Sequence, residues 1–164
     1  MAEEAAEVVA AKPVFNAVKI NNPLWVGELA PIIQSYVERL KIQSITYETL
    51  YTYFTGIVQN GGNLAEFWVV FADKEPVAFA CWYVRSLPYR GSVFFDHIYS
   101  WNRMSEPVGL LIDEYVKFGN RHNCPIYEGV ATNEVVWNVH KRNADKKSIN
   151  LNRTEQGFFS GRRK

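Results

Sequence analysis

The 164 residues include only two cysteines, Cys81 and Cys124. That is too few for a disulfide framework, and neither stands in a CxxC pair or beside histidines at metal-ligand spacing. A stapled scaffold and a structural zinc site are set aside, no metal is expected, and both thiols read as reduced and buried. No apolar run reaches the about 20 residues of a membrane-spanning helix, so no membrane span is expected. The opening MAEEAAEVVAAK is acidic and lacks the basic start and sustained apolar core of a secretory signal, which points to an intracellular product. A Walker loop, a G-x-S-x-G elbow and a dinucleotide fingerprint are missing as well.

What is present is a globular composition, 48% hydrophobic and 21% charged. At this length it implies one domain over residues 13–164 behind a short acidic arm, 1–12. Net charge is +1, but residues 141–164 carry eight Lys/Arg against two acidic side chains. This basic tail reads as a solvated chain end or as a docking element for an acidic partner surface. The 24 aromatic residues recur at core-facing positions without interleaved Lys/Arg on the central strands, so nucleic acid is not an expected partner.

Periodicity organises the rest. Val14–Ile20 is β-compatible, and Leu29, Ile32, Ile33, Tyr36, Val37 and Leu40 repeat at helical spacing with Pro31 in the first turn. Thr46 suits the N-cap of a second helix with Tyr47, Leu50, Tyr51, Phe54 and Val58 on its apolar face, stopped by Gly61-Gly62. Three strand-like runs follow, Glu66–Ala72, Val77–Arg85 and Ser92–Trp101, separated by the turn-rich DKEP and LPYRG. A helix from about Glu106 to Phe118, ending at Gly119-Asn120, leads to a strand at Pro125–Ala131, then to the helical NEVVWNVHKRNAD and a closing strand or hairpin. The fold class is α/β (α+β), a mixed and mostly antiparallel sheet flanked by helices in the order β-α-α-β-β-β-α-β-α-β. The helical crossover makes Ser92–Trp101 and Pro125–Ala131 a parallel pair, and a crevice at their C-terminal ends is the natural ligand position.

This order resembles the GNAT acetyltransferase superfamily, and two segments carry the resemblance residue by residue. NEVVWNVHKRNAD is similar to the family's late helix N-x-x-A-x-x-L-Y-x-K-x-G-F. Asn133 falls on the Asn, Val136 on the small residue, Val139 on the Leu, His140 on the Tyr and Arg142 on the Lys, while Ala144 and Asp145 replace Gly-Phe. The resemblance implies a general acid at His140, which would protonate the departing CoA thiolate; alternatively His140 is packed against a neighbouring strand, Trp137 is a packing residue and Asn133 caps its helix. YSWNRMSEPVGLL occupies the place of the pyrophosphate loop Q/R-x-x-G-x-G/A, with Asn102 on Q/R and Ser105 and Pro107 on the two glycines.

Glycines let backbone N–H groups approach a phosphate closely; Pro107 has no N–H, and Glu106 adds a negative charge. Ser105 as N-cap, with Glu106 and Pro107 in the first turn, is also an ordinary helix start. The family places an amine-deprotonating carboxylate on the central strand, which makes Asp96 a candidate base, with Glu128 of similar standing. Asp96 and His97, being adjacent, are expected on opposite faces of the strand.

Two functions follow from the resemblance. The first is a degenerate GNAT-like domain, with no cofactor bound, that works as a binding or assembly component with protein partners or copies of itself; related proteins occur in tailed bacteriophages, virion components included. The second is an acetyl-CoA-dependent N-acetyltransferase acting on an amine. There Ile98, Ser100, Asn102, Arg103, Ser105 and Asn133 would bind the cofactor, and Asp96 and His140 would act as base and acid.

Overall fold

The computed structural model describes residues 12–87, 90–131, 134–154 and 157–163. The acidic arm apart from Lys12, and Asn133, lie outside the described residues. The elements are β1 (Phe15–Lys19), α1 (Leu24–Glu28), α2 (Ala30–Leu40), α3 (Tyr47–Asn60), β2 (Ala65–Ala72), β3 (Glu75–Leu87), β4 (Arg90–Ser100), α4 (Ser105–Arg121), β5 (Ile126–Val130), α5 (Glu134–Lys146), β6 (Ile149–Arg153) and β7 (Phe158–Arg163). A 3₁₀ turn, Trp101–Arg103, joins β4 to α4.

The strands form one sheet in the order β1-β2-β3-β4-β5-β7-β6. Among the described residues only β4 and β5 run parallel. The closing segment is a hairpin whose second strand, β7, inserts between β5 and β6. One apolar cluster sits under α1, α2 and α3 and includes Ile32, Ile33, Tyr36, Phe54, Phe67 and Phe79. The other sits under α4 and α5, around Trp82, Phe95, Leu111, Tyr115, Phe118 and Phe159. Both cysteines are free and buried.

Local chemistry accounts for the helix boundaries. Thr46 caps α3 reciprocally with Thr49: the Thr49 N–H donates to Thr46 Oγ1 at 3.3 Å and the Thr46 N–H to Thr49 Oγ1 at 2.9 Å. Gly61 is the C-cap of α3. The five-residue α1, one turn long, has too little length for a period to show. Helix α4 corrects two expectations. Its N-cap is Met104, with no side-chain capping bond, and Ser105 is already helical. It also runs through Gly119-Asn120 to Arg121, because Gly119 is present for packing: a Cβ there would come within 2.8 Å of the Tyr127 ring. The chain turns only at Asn123, in the left-handed region at φ 52°.

Candidate active site

The parallel pair is short, running from Ser92 opposite Ile126 to Phe95 opposite Gly129. Strand β4 continues five residues further, to Ser100, held on its other edge by β3. Among the described residues no strand covers Asp96–Ser100 on the β5 side. The amide groups of that edge remain available to an extended ligand. Where the two strands are still together, the Tyr115 hydroxyl of α4 bridges them. It lies 2.7 Å from the Val93 carbonyl oxygen and 2.9 Å from that of Glu128, and accepts the Glu128 N–H at 3.1 Å.

At the end of β4, Ser100 Oγ donates to the Met104 carbonyl at 3.0 Å, closing the turn. Asn102 and Arg103 both sit in the left-handed region, at φ 54° and 56°, a costly backbone for side chains other than glycine. Both are exposed, as is Ser105. Arg39 of α2 comes within 3.5 Å of the Ser100 carbonyl oxygen and stacks over Tyr99 at 5.1 Å. The first turn of α4 has no side-chain cap, but Pro107 removes one N–H, and Glu106 pairs with Lys12 at 3.0 Å.

The expectation that Asp96 and His97 point to opposite faces is overturned by the register with β3. Cys81 faces His97 and Trp82 faces Phe95, which leaves Asp96 as the extra residue of a β-bulge. The bulge shifts the alternation by one: Phe95 and Ile98 join the core under α4 and α5, whereas His97 and Tyr99 face α2 and α3. Asp96 turns to the same side, where the Tyr53 hydroxyl of α3 donates to its Oδ2. His97 Nε2 lies 3.6 Å from that oxygen, and its Nδ1 is 2.9 Å from the Tyr36 hydroxyl. Burial pushes His97 below the ordinary imidazole value against the opposing charge of Asp96, so the ring is neutral at pH 7. Burial raises Tyr36 and Tyr53, which stay phenols. The Asp96 side chain is 25% exposed, and Oδ1 has no partner among the described residues.

On the opposite face His140 is 4% exposed. It packs against Phe95 and Phe159, with ring centroids 5.0 and 4.7 Å away, and lines a void of about 20 Å³, room for roughly one water. Burial lowers it to about 4, and its Nε2 has no hydrogen-bond partner among the described residues. Trp137 is half-buried with Arg153 over its ring at 5.7 Å. Glu128 accepts Ser92 Oγ at 2.6 Å and faces Arg85 at 3.6 Å, a partnered carboxylate. The sheet thus separates Asp96 from His140, and only a group passing between β4 and β5 beyond Phe95 would meet both. Sequence reasoning missed Tyr36, Tyr53 and Arg39 as site residues; Tyr36 sits at helical spacing among core residues, whereas Tyr53 is exposed and lies off the apolar stripe of α3.

No protein-family model and no curated protein matches the chain by sequence. Solved structures do match it. A predicted acetyltransferase of Clostridium acetobutylicum, solved with acetyl-CoA, shares 17% identity over 79% of this chain and 88% of its own, at a TM-score of 0.64. A ribosomal-protein-alanine N-acetyltransferase of Brucella melitensis shares 20% over 79% and 87%, at 0.60. A GNAT-family acetyltransferase of Streptococcus pneumoniae shares 11% over 91% and 98%, at 0.62. At these identities the likeness establishes the fold, which is that of the GNAT acetyltransferases.

Proposed function

We propose that this GNAT-fold chain is an acyl-CoA-dependent N-acyltransferase that acetylates an amine, with Asp96 as its base. The observation that carries the reading is the pairing of β4's open edge beyond Phe95 with a carboxylate displayed by a bulge on that same stretch. The donor set suits the cofactor. Amide groups of Ile98–Ser100 would hold the amides of an extended pantetheine arm, and the uncapped N–H groups of Ser105 and Glu106, with Arg103, would hold a diphosphate.

Acetyl-CoA supplies an acyl carbon already activated as a thioester. Asp96 Oδ1 takes the proton that an ammonium must lose before its lone pair can attack. Positioning then supplies most of the remaining rate, because direct attack needs few further groups. In this reading His140, neutral at pH 7 and enclosed by Phe95 and Phe159, packs the far face of the sheet and supplies no imidazolium proton.

Binding or assembly without catalysis, as in a bacteriophage virion component, is the second reading. It is favoured by Pro107 and the strained Asn102 and Arg103 in place of a glycine loop. Titration with acetyl-CoA in a thermal-shift assay separates the two. A ligand at 100 times its dissociation constant adds about 2.7 kcal/mol of stability. Low-micromolar binding that Arg103→Glu abolishes supports the enzyme; no stabilisation at millimolar acetyl-CoA overturns it.

A further inference from the structure

We infer that Tyr36, His97 and Tyr53 form a chain of donors that fixes Asp96 so that its Oδ1 alone accepts the substrate proton. The inference rests on the acyltransferase reading and adds three positioning residues to it. Tyr36 is 8% exposed, and among the described residues its hydroxyl has one hydrogen-bond partner, His97 Nδ1 at 2.9 Å. If Nδ1 carried the proton and donated to Tyr36, the buried phenolic O–H would need another acceptor, and the described residues provide none. Tyr36 therefore donates, Nδ1 holds a lone pair, and the proton of the neutral ring sits on Nε2.

That N–H faces Asp96 Oδ2 at 3.6 Å, longer than a hydrogen bond, and closes on it when a substrate draws the carboxylate into place. Tyr53 already donates to the same oxygen from α3. Edge-on contacts hold the His97 ring at 5.8 Å from Tyr36, 5.6 Å from Tyr53 and 5.7 Å from Phe54. Both donors act on Oδ2, which leaves Oδ1 as the basic oxygen. The bulge is what makes this arrangement reachable, since regular pleating would carry Asp96 away from His97.

The test is ring ¹⁵N NMR of the full chain, together with acetyl transfer to a panel of primary amines. The expected spectrum shows His97 as the neutral Nε2–H tautomer near pH 7.5, with Tyr36→Phe bringing in the Nδ1–H form. The expected kinetics are a tenfold or larger fall in kcat with unchanged KM for acetyl-CoA in His97→Leu, largely restored in His97→Gln, whose amide keeps a donor. An Nδ1–H tautomer in the unsubstituted protein overturns the inference whatever the activity, and so does an unchanged kcat in His97→Leu. If acetyl-CoA fails to bind, the acyltransferase reading falls with the positioning role, while the tautomer still reports whether the donor chain exists.

Discussion

Two histidines on opposite faces of the same sheet show how little a residue type says before its surroundings are known. Under α4 and α5, His140 is enclosed by Phe95 and Phe159, and its Nε2 has no partner among the described residues. Under α2 and α3, His97 bonds Tyr36 and faces a partly exposed carboxylate. Burial depresses both rings. On the first face the depression reflects desolvation alone; on the second an adjacent charge opposes it, and the ring acquires a direction in which to point its proton. Family resemblance singled out both the enclosed His140 and Asp96 beside His97, and the two lie on opposite faces of the sheet.

The sharpest way to break this comparison is Asp96→Asn, which keeps the shape and removes the proposed base. The expected loss in kcat is about 10²–10⁴-fold with an unchanged melting temperature, measured by thiol release from acetyl-CoA with an accepting amine. A loss of less than threefold would move the chemistry away from the bulge.

Next in size is the pH dependence of folding set by His140. Its folded value of about 4 lies below the unfolded value of about 6.5, so the unfolded chain binds the proton more readily. Stability from this group is complete above about pH 6.5 and lost as pH falls toward 4, amounting to roughly 2–3 kcal/mol by pH 4.5. Urea unfolding at pH 7.5 and 4.5 should show that His140→Leu reduces the difference by this amount; equal pH slopes in both proteins would mean that the ring is not desolvated. Tyr115→Phe sharpens the picture of the enclosed face. Removing the hydroxyl that bridges β4 and β5 leaves Val93 and Glu128 backbone groups short of a partner, for an expected cost of about 1–3 kcal/mol in the same assay. The smallest effect belongs to the scaffold that carries Tyr53: Thr46→Ala removes the α3 cap at about 1 kcal/mol, and kcat should stay within twofold.

Much of the architecture was legible because it is local. The apolar stripe from Ile32 to Leu40, the Thr46 cap, and the strand-like runs around DKEP and LPYRG each follow from the period and turn chemistry of a few neighbouring residues. The parallel β4–β5 pair followed from the helix between its strands. The short α1 and the placement of β7 between β5 and β6 did not, since one lacks length and the other is settled by non-local pairing. Gly119 looked like a stop signal and is instead a contact with Tyr127, something no local pattern records.

By itself, then, the sequence determined a mixed sheet flanked by helices and a strand end leading into an amphipathic helix, because side-chain periodicity and capping act over a few residues. Tertiary structure alone decided which way Asp96 points, because a one-residue bulge exists only in the register between β3 and β4. It also decided that His140 is neutral and His97 partnered, because desolvation and hydrogen bonding depend on residues brought together from α2, α3, α5 and β7.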